Sequence, residues 1–112
     1  MAHEVIWRAS AEADIAEIGG YLERVAYPAV AAKVIAAIRE AAIRASDFPF
    51  SARMIPEFQD PSRRETFIYE YRLMYRVEDD CIRILRVVHG RRLLRNVPGS
   101  FEEVAQESYS AA

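Results

Sequence analysis

The sequence predicts a small α+β domain in which an antiparallel pair of helices packs on a mainly antiparallel sheet. Apolar residues recur at helical spacing across residues 11–45. Polar and apolar residues alternate within 66–77 and 82–88, and the polar break at 78–81 is typical of the turn of a β-hairpin. Helices that precede a hairpin, rather than alternate with strands, are expected to cover one face of the sheet.

Length and composition indicate one globular domain. The chain has 112 residues, 52% hydrophobic and 29% charged, so residues 1–112 are expected to form a single domain with a core over about 3–95 and an acidic tail at 96–112. No apolar run approaches the roughly 18 residues of a membrane span, and the N-terminus does not resemble a signal peptide. Cys81 is the only cysteine, which favours a reducing, cytoplasmic location without membrane association.

The N-terminal quarter predicts a strand followed by a helix. Residues 3–8 alternate and are expected to form a short strand. Ser10 is the expected N-cap of a first helix that ends near Ala26. Gly19 and Gly20 lie within this helix at a cost of about 1 kcal/mol each relative to alanine, which predicts close approach of a neighbouring element. The expected inward stripe consists of Ala11, Ile15, Ile18, Leu22 and Val25.

A second helix, a loop and a C-terminal helix complete the elements outside the hairpin. Pro28 suits a first helical turn and disfavours helix at Tyr27, so the second helix is predicted from there to about Ser46. Its stripe, rich in alanine for close packing, consists of Ala31, Val34, Ile35, Ile38, Ala41, Ala42 and Ala45. The loop 47–60 is expected to be anchored by Phe48, Phe50, Ile55 and Phe58. A turn at 96–99 and an N-cap at Ser100 predict a short acidic helix.

The hairpin can be given a register by centring its turn on Asp79-Asp80. The facing pairs are then Arg76 with Arg83, Met74 with Leu85, and Leu73 with Arg86. The expected core face carries Tyr71, Leu73, Tyr75, Val77, Ile82, Ile84 and Val88. The expected cationic face carries Arg72, Met74, Arg76, Arg83, Leu85, Val87 and His89.

Charge distinguishes the segment 63–95 from the rest of the chain. It holds nine arginines against five acidic residues, a balance of +4, whereas residues 1–62 and residues 96–112 each have a balance of −3. A basic strand face in an otherwise acidic molecule is a docking place for an anionic partner. The alternative is that these arginines pair with local acids along the sheet surface.

Few residues indicate catalysis or the binding of a cofactor or metal. The sequence contains no phosphate-binding glycine loop, nucleophile elbow or metal-ligand spacing, so neither a cofactor nor a metal is expected. His89 precedes Arg91 and Arg92 at the predicted end of a strand. Such a group could cleave RNA, with His89 or Tyr69 moving protons and arginine stabilising the phosphorane. The alternative is a histidine that only makes a hydrogen bond at a strand end.

An ordered set of residues over about 4–95 resembles the RelE/ParE toxin superfamily. It comprises Trp7, Ala11, Asp14-Ile15, Ile18 and Tyr21, then Pro49, Arg53, Pro56-Glu57, Arg64-Glu65, Tyr71-Arg72, Tyr75-Arg76-Val77, Ile82-Arg83-Ile84-Leu85-Arg86-Val87 and His89-Gly90-Arg91-Arg92. The resemblance implies a toxin with a helical hairpin on a curved antiparallel sheet, neutralised by a cognate antitoxin in a hetero-oligomer.

The superfamily has two branches with different targets. RelE-like members cleave mRNA in the ribosome and are strongly basic, as a phosphate-rich target favours. ParE-like members inhibit DNA gyrase without a preserved set of nuclease residues. This chain has a pI near 5.7, and its one lysine, Lys33, falls on the predicted second helix. The sequences of the hairpin and of His89-Gly90-Arg91-Arg92 also resemble ParE, so a gyrase inhibitor rather than an enzyme is expected.

Site residues follow from the resemblance and from exposed charge. Arg91, Arg92 and Arg95 are expected at the gyrase contact, and an acidic antitoxin tail is expected to meet the sheet arginines Arg72, Arg76 and Arg83. If the chain is instead a ribosome-dependent nuclease, His89, Arg91 and Arg92 are the catalytic candidates. A third possibility is an inactive homologue that binds only its antitoxin.

Overall fold

Two helices and five strands form residues 3–90, the part of the chain that this computed structural model describes. They are β1 (Glu4–Trp7), α1 (Ala9–Val25), α2 (Pro28–Asp47), β2 (Arg53–Met54), β3 (Arg63–Ile68), β4 (Tyr71–Val77) and β5 (Cys81–His89). The predicted turn at 96–99 and the helix after Ser100 lie outside the described residues.

The strands form one sheet in the order β1-β5-β4-β3-β2. β1 pairs with β5 in parallel, and every other neighbouring pair is antiparallel. The two helices run between β1 and the rest of the sheet in sequence. The prediction of an α+β fold with an N-terminal strand, a helical hairpin and a mainly antiparallel sheet is therefore confirmed.

Both helices begin close to their predicted positions. Pro28 occupies the first turn of α2, as expected. The predicted N-cap of α1 is wrong, because Arg8 holds that position and the Ser10 hydroxyl donates instead to the carbonyl of Leu85 (3.3 Å). The helix therefore begins inside a tertiary contact with β5, which replaces a local cap.

The helices approach closely at Gly19, as predicted. A Cβ added there would lie 2.9 Å from Cδ1 of Ile35, whereas one added at Gly20 would meet nothing nearer than the Arg24 guanidinium at 3.8 Å. The stripe of α1 loses contact towards its end, since Val25 is 59% exposed rather than inward. Close packing is thus a property of Gly19 and not of both glycines.

The alternating run at 66–77 does not form a single strand. It is divided between β3 and β4 by a two-residue turn at Tyr69-Glu70, since Ile68 pairs with Tyr71. Tyr69 adopts a left-handed conformation (φ 53°), which glycine, asparagine or aspartate usually occupies in such a turn. The sequence therefore lacked the usual turn signal at this point.

A β-bulge also changes the predicted register of the hairpin. Arg76 pairs with Arg83 as expected, but the register shifts at Met74/Tyr75. Met74 consequently faces Arg86 rather than Leu85. Leu73 faces Val87 rather than Arg86, so these two predicted pairs are wrong.

The bulge exchanges the side chains at the end of β5 between the faces of the sheet. Val87 belongs to the core beneath the helices, and Val88 packs on the opposite side, the reverse of the prediction. His89 pairs with Tyr71 and lines the space below α1, so it does not share a face with Arg72. A single extra residue in one strand is sufficient for this exchange.

A hydrophobic core lies on each side of the sheet. The buried residues beneath the helices are Ala11, Ile15, Ile38, Ala41, Ala42, Ala45, Ile68, Leu73, Tyr75, Val77, Ile82, Ile84 and Val87. A smaller core on the opposite side contains Ile55, Met74, Leu85 and Val88, with Phe58 packed against it. Of the four predicted loop anchors, Ile55 and Phe58 are confirmed, whereas Phe48 and Phe50 are 71% and 57% exposed.

Candidate functional site

The sheet arginine Arg72 lies inside an ion-pair network. Its Nε donates to Glu65 Oε1 (2.7 Å), and its two terminal nitrogens donate to Glu57 (3.1 and 2.9 Å). Burial by itself would lower the pKa of Arg72, but the hydrogen bonds to Glu57 and Glu65 outweigh it and raise the pKa. Arg53 also binds the fully buried Glu65, through Nε at 2.6 Å. The guanidinium of Arg72 is therefore a structural cation with its charge compensated inside the domain.

The other two predicted antitoxin contacts, Arg76 and Arg83, share one carboxylate. Arg83 Nε lies 2.9 Å from Glu78 Oε2, and Arg76 Nη1 lies 3.9 Å from the same oxygen. The hydrogen bond from Arg83 lowers the pKa of Glu78 in spite of partial burial, which favours its ionised form. These two arginines retain more exposure than Arg72, and they are the part of the cationic face that reaches the surface.

The charge surplus of the central segment is located mainly after β5. Residues 63–90 contain six arginines and five acidic residues, a balance of +1. The remaining surplus comes from Arg91, Arg92 and Arg95, which lie outside the described residues. The structure therefore leaves the sheet nearly neutral, as the alternative of local pairing predicts.

A cleft of about 710 Å³ lies between α1 and the end of β5. Its lining contains Asp14, Glu17, Ile18, Tyr21, Arg24, Tyr71, Arg86, Val87, Val88 and His89. Asp14 accepts hydrogen bonds from Arg86 Nε (2.7 Å), Arg86 Nη2 (2.8 Å) and the backbone N–H of Val87 (2.9 Å). This buried contact holds α1 against β5 just beyond the bulge, and the guanidinium of Arg86 is engaged by it.

His89 and Tyr71 are the titratable groups of the cleft that suit proton transfer. The imidazole Nε2 of His89 lies 3.3 Å from Glu70 Oε2, and its ring meets that of Tyr71 edge to face at 5.9 Å. Burial, followed by the charge of Glu70 and the neighbouring Tyr21, raises the pKa of Tyr71, so its phenol is neutral at pH 7. The guanidinium of Arg86 in this cleft is already bound to Asp14, so it is poorly placed to stabilise a developing negative charge beside His89.

Sequence reasoning did not assign a role to Asp14 or to Glu65 at these sites. The available signal was an acidic residue at a position expected to be buried, within the apolar stripe of a helix or within a strand. Such a residue is buried only when it is paired, so its position indicates an ion pair. The partner in each case is an arginine distant in sequence. Only the fold identifies which arginine it is.

Other chemistry is limited among residues 3–90. They include no group of three or more His, Cys, Asp or Glu side chains that could hold a metal ion. Cys81 begins β5, and burial followed by the hydrogen bond with Glu78 raises the pKa of its thiol to about 11, well above neutrality. The thiol is therefore protonated and a weak nucleophile. None of the helices in this part of the chain is long and apolar enough to cross a membrane.

The architecture belongs to a known class of small α+β domains. A chain in the solved structure of the chromosomal ParDE TA system from P. aeruginosa matches with a TM-score of 0.67 at 21% sequence identity. The match covers 79% of this chain and 96% of that chain, so the two share a fold over nearly the whole of the other protein. A comparison with curated protein sequences gives no match.

The family follows from the sequence over most of its length. The family model for the ParE toxin of the type II toxin-antitoxin system, parDE, matches residues 5–94. The chain belongs to this ParE toxin family, and the predicted ParE-like branch of the superfamily is confirmed.

Proposed function

We propose that this ParE-family chain inhibits DNA gyrase in the cytoplasm and is neutralised by a cognate antitoxin with which it forms a hetero-oligomer. The observation that supports it is the pairing of the sheet arginines with carboxylates of the same chain. Arg72 is bound to Glu57 and Glu65, and Arg83 is bound to Glu78. A nuclease that grips ribosome-bound mRNA needs cations that displace counterions from phosphates, which these paired groups do poorly.

The gyrase contact is proposed to involve Arg91, Arg92 and Arg95. These three arginines account for the rise in the net charge of the central segment from +1 over residues 63–90 to +4 over residues 63–95, and they come soon after β5 in the sequence. The inhibitor would act by binding, either stabilising a cleaved DNA–enzyme complex or blocking its turnover, without making or breaking a bond itself.

The antitoxin contact is proposed to include Arg76 and Arg83, which are partly exposed, beside Arg72. An acidic antitoxin tail would compete with Glu78 for their guanidinium groups. The side chain of Arg72 is only 6% exposed, so it would support this contact indirectly, by stabilising the strands beneath it.

A nuclease is the second candidate because His89 lies in a cleft beside Tyr71. Purified protein would be added to a gyrase supercoiling and cleavage-complex assay and to ribosomes translating a defined mRNA. We expect gyrase inhibition with intact mRNA, undiminished in the His89→Ala variant. Replacing Arg91, Arg92 and Arg95 together by alanine should abolish the inhibition, whereas Arg24→Ala, an exposed arginine on α1, should not.

Three other results would contradict this proposal. Cleaved mRNA that depends on His89 would establish the nuclease and overturn the gyrase target. Gyrase inhibition that survives loss of all three arginines would move the contact elsewhere. A folded protein without effect in either assay would be an inactive homologue that retains only antitoxin binding.

A further inference from the structure

The outer edge of β3 is only partly covered by β2. Arg64 and Glu65 are the only residues of β3 that pair with this two-residue strand. The backbone N–H of Ile55 donates to the carbonyl of Arg63 from the same side. Because backbone groups alternate between the two sides of a strand, Phe67 also directs its N–H and C=O to that side, beyond the end of β2. An open edge of this kind can pair with a further strand.

A hollow of about 300 Å³ lies beside the open edge, between the last turns of α2 and the loop before β2. It is lined by Ala41, Arg44, Ala45, Phe48, Ser51, Ala52, Thr66 and Tyr75. Phe48 is 71% exposed at this hollow, and Phe50 on the same loop is 57% exposed. An apolar side chain placed there would bury aromatic surface that the chain itself leaves in water.

Two arginines near the hollow have no carboxylate partner within residues 3–90. Arg44 lines the hollow, is exposed, and forms no ion pair with the described residues. Arg64 donates to the carbonyls of Pro61, Phe50 and Ala52, and its guanidinium lies over the Phe50 ring at 5.2 Å. All these contacts are with neutral groups, so this surface differs from the paired arginines of the sheet in carrying positive charge that no carboxylate of residues 3–90 compensates.

We propose that this surface binds an extended acidic segment of the antitoxin as an added strand on β3. The segment would exchange backbone hydrogen bonds with Phe67, place an apolar side chain in the hollow against Phe48, and direct carboxylates to Arg44 and Arg64. The position of the binding surface is inferred from the contacts and exposure described above. The choice of the antitoxin as its partner rests on the proposed function.

A peptide fits this surface better than single-stranded nucleic acid does. Arg53 lies over the ring of Phe67 at 5.1 Å, and Arg64 covers the ring of Phe50, so one face of each ring is already occupied. Bases need open aromatic faces on which to stack. The backbone N–H and C=O of Phe67, in contrast, are arranged to pair with those of another β-strand and offer a nucleobase no stacking surface.

The first experiment measures binding of labelled probes to the full chain by fluorescence anisotropy. The probes are a short peptide in which glutamate alternates with valine, an isomer with the same composition at helical spacing, and oligouridine. We expect the alternating peptide to bind saturably and at least about tenfold more tightly than the other two, since only it offers a strand with acidic side chains. Tighter binding of the isomer or of oligouridine would overturn the proposal.

Matched variants locate the binding. Arg44→Glu and Phe48→Ser are each expected to weaken the alternating peptide about fivefold or more, as the loss of a charge contact or an apolar anchor does. The control variants Lys33→Glu and Ile43→Ser make a like charge reversal and a like apolar-to-polar change at exposed positions of α2 outside the hollow, and should alter affinity less than about twofold. Equal effects from the controls would contradict the assigned surface.

Backbone pairing has its own readout. Bound peptide should slow amide hydrogen exchange at Phe67 by about tenfold or more, because β2 pairs only with Arg64 and Glu65 and the added strand would accept a hydrogen bond from the Phe67 N–H. Unchanged exchange at Phe67 with saturated peptide would exclude strand addition.

The identity of the partner is tested with the cognate antitoxin. A chain with both Arg44→Glu and Phe48→Ser should remain toxic when the antitoxin is co-expressed, while the purified variant inhibits gyrase as the unaltered chain does. Neutralisation as efficient as for the unaltered chain would overturn the antitoxin as occupant. If the unaltered chain fails to inhibit gyrase, the proposed target is contradicted, while the peptide result still stands.

Discussion

The two faces of the sheet are buried in different ways. The face beneath α1 and α2 is covered mainly by apolar side chains, many of them alanines of α2 that permit close approach, and one buried ion pair, Asp14 with Arg86, joins α1 to β5. The opposite face has a smaller apolar core under the loop before β3, and it buries the carboxylate of Glu65 between Arg53 and Arg72. A face covered by a loop has fewer apolar groups to oppose it, so ion pairs complete its interior.

The difference has a physical consequence for stability. Apolar contacts are non-directional, and the loss of one leaves its neighbours intact apart from a cavity. A buried ion pair depends on both partners, and removing one leaves an uncompensated charge away from water. Substitutions on the two faces should therefore lower the free energy of unfolding for different reasons.

The largest effect is expected from Glu65→Ala. Its side chain is 0% exposed and binds two arginines, so the variant leaves Arg72 with Glu57 alone and should lose roughly 3–5 kcal/mol of unfolding free energy. Urea denaturation measures the loss. Glu12→Ala, which breaks the exposed pair with Arg39, is the control and should cost less than about 1 kcal/mol. Equal losses would show that burial of the network adds nothing.

A comparable but smaller loss is expected on the helix face from Ile38→Ala. Ile38 is 0% exposed in the main core, and its truncation should cost about 3 kcal/mol through lost transfer energy and a cavity. Raising the salt concentration should leave this loss unchanged. The control Ile43→Ala, at a 59% exposed position of the same helix, should remain within about 0.5 kcal/mol.

A pH-dependent effect is expected from Glu78→Gln. The folded pKa of Glu78 lies below its ordinary value of 4.5 because Arg83 binds the carboxylate, so its contribution is present above that pH and is lost as pH falls through the folded pKa. The variant should be less stable at pH 7 by no more than about 1 kcal/mol, and the difference should shrink in acid. Denaturation curves at a series of pH values test this. A difference that grows in acid would contradict it.

The smallest effect is a stabilisation by Gly20→Ala. A Cβ there has room, and alanine should add roughly 0.5–1 kcal/mol through helix propensity. Gly19→Ala is the comparison, because its Cβ would lie 2.9 Å from Ile35 and the propensity gain is offset by repacking. Thermal melting of both variants measures the two effects. A larger gain at Gly19 would show that the helix contact is loose.

Much of the fold could be predicted from local patterns. The helical stripes, Pro28 at the start of α2 and the alternation around residues 78–81 correspond to the observed helices and hairpin. The split of 66–77 could not be predicted, because Tyr69 gives no turn signal. The bulge at Met74/Tyr75 also has no local marker, and it reversed the assignment of Val87 and Val88.

The candidate sites were less predictable than the fold. The positive charge of the central segment is visible in the sequence, but the pairing of Arg72 with two carboxylates depends on β3, β4 and the loop coming together. The same holds for Asp14 with Arg86, which are separated by 72 residues. Exposure of Phe48 is likewise a result of packing, since an aromatic residue in a loop is usually expected to serve as an anchor.

The class of fold, the order of the first strand, the two helices and the final hairpin, and the resemblance to the toxin superfamily follow from local sequence, because they depend on periodicity, on turn residues and on residue types in order. The folded chain is needed to see which arginines are paired with carboxylates, which face of the sheet His89 occupies and where a strand edge stays open. These depend on register and on contacts between distant segments, and a one-residue shift in a strand reverses them.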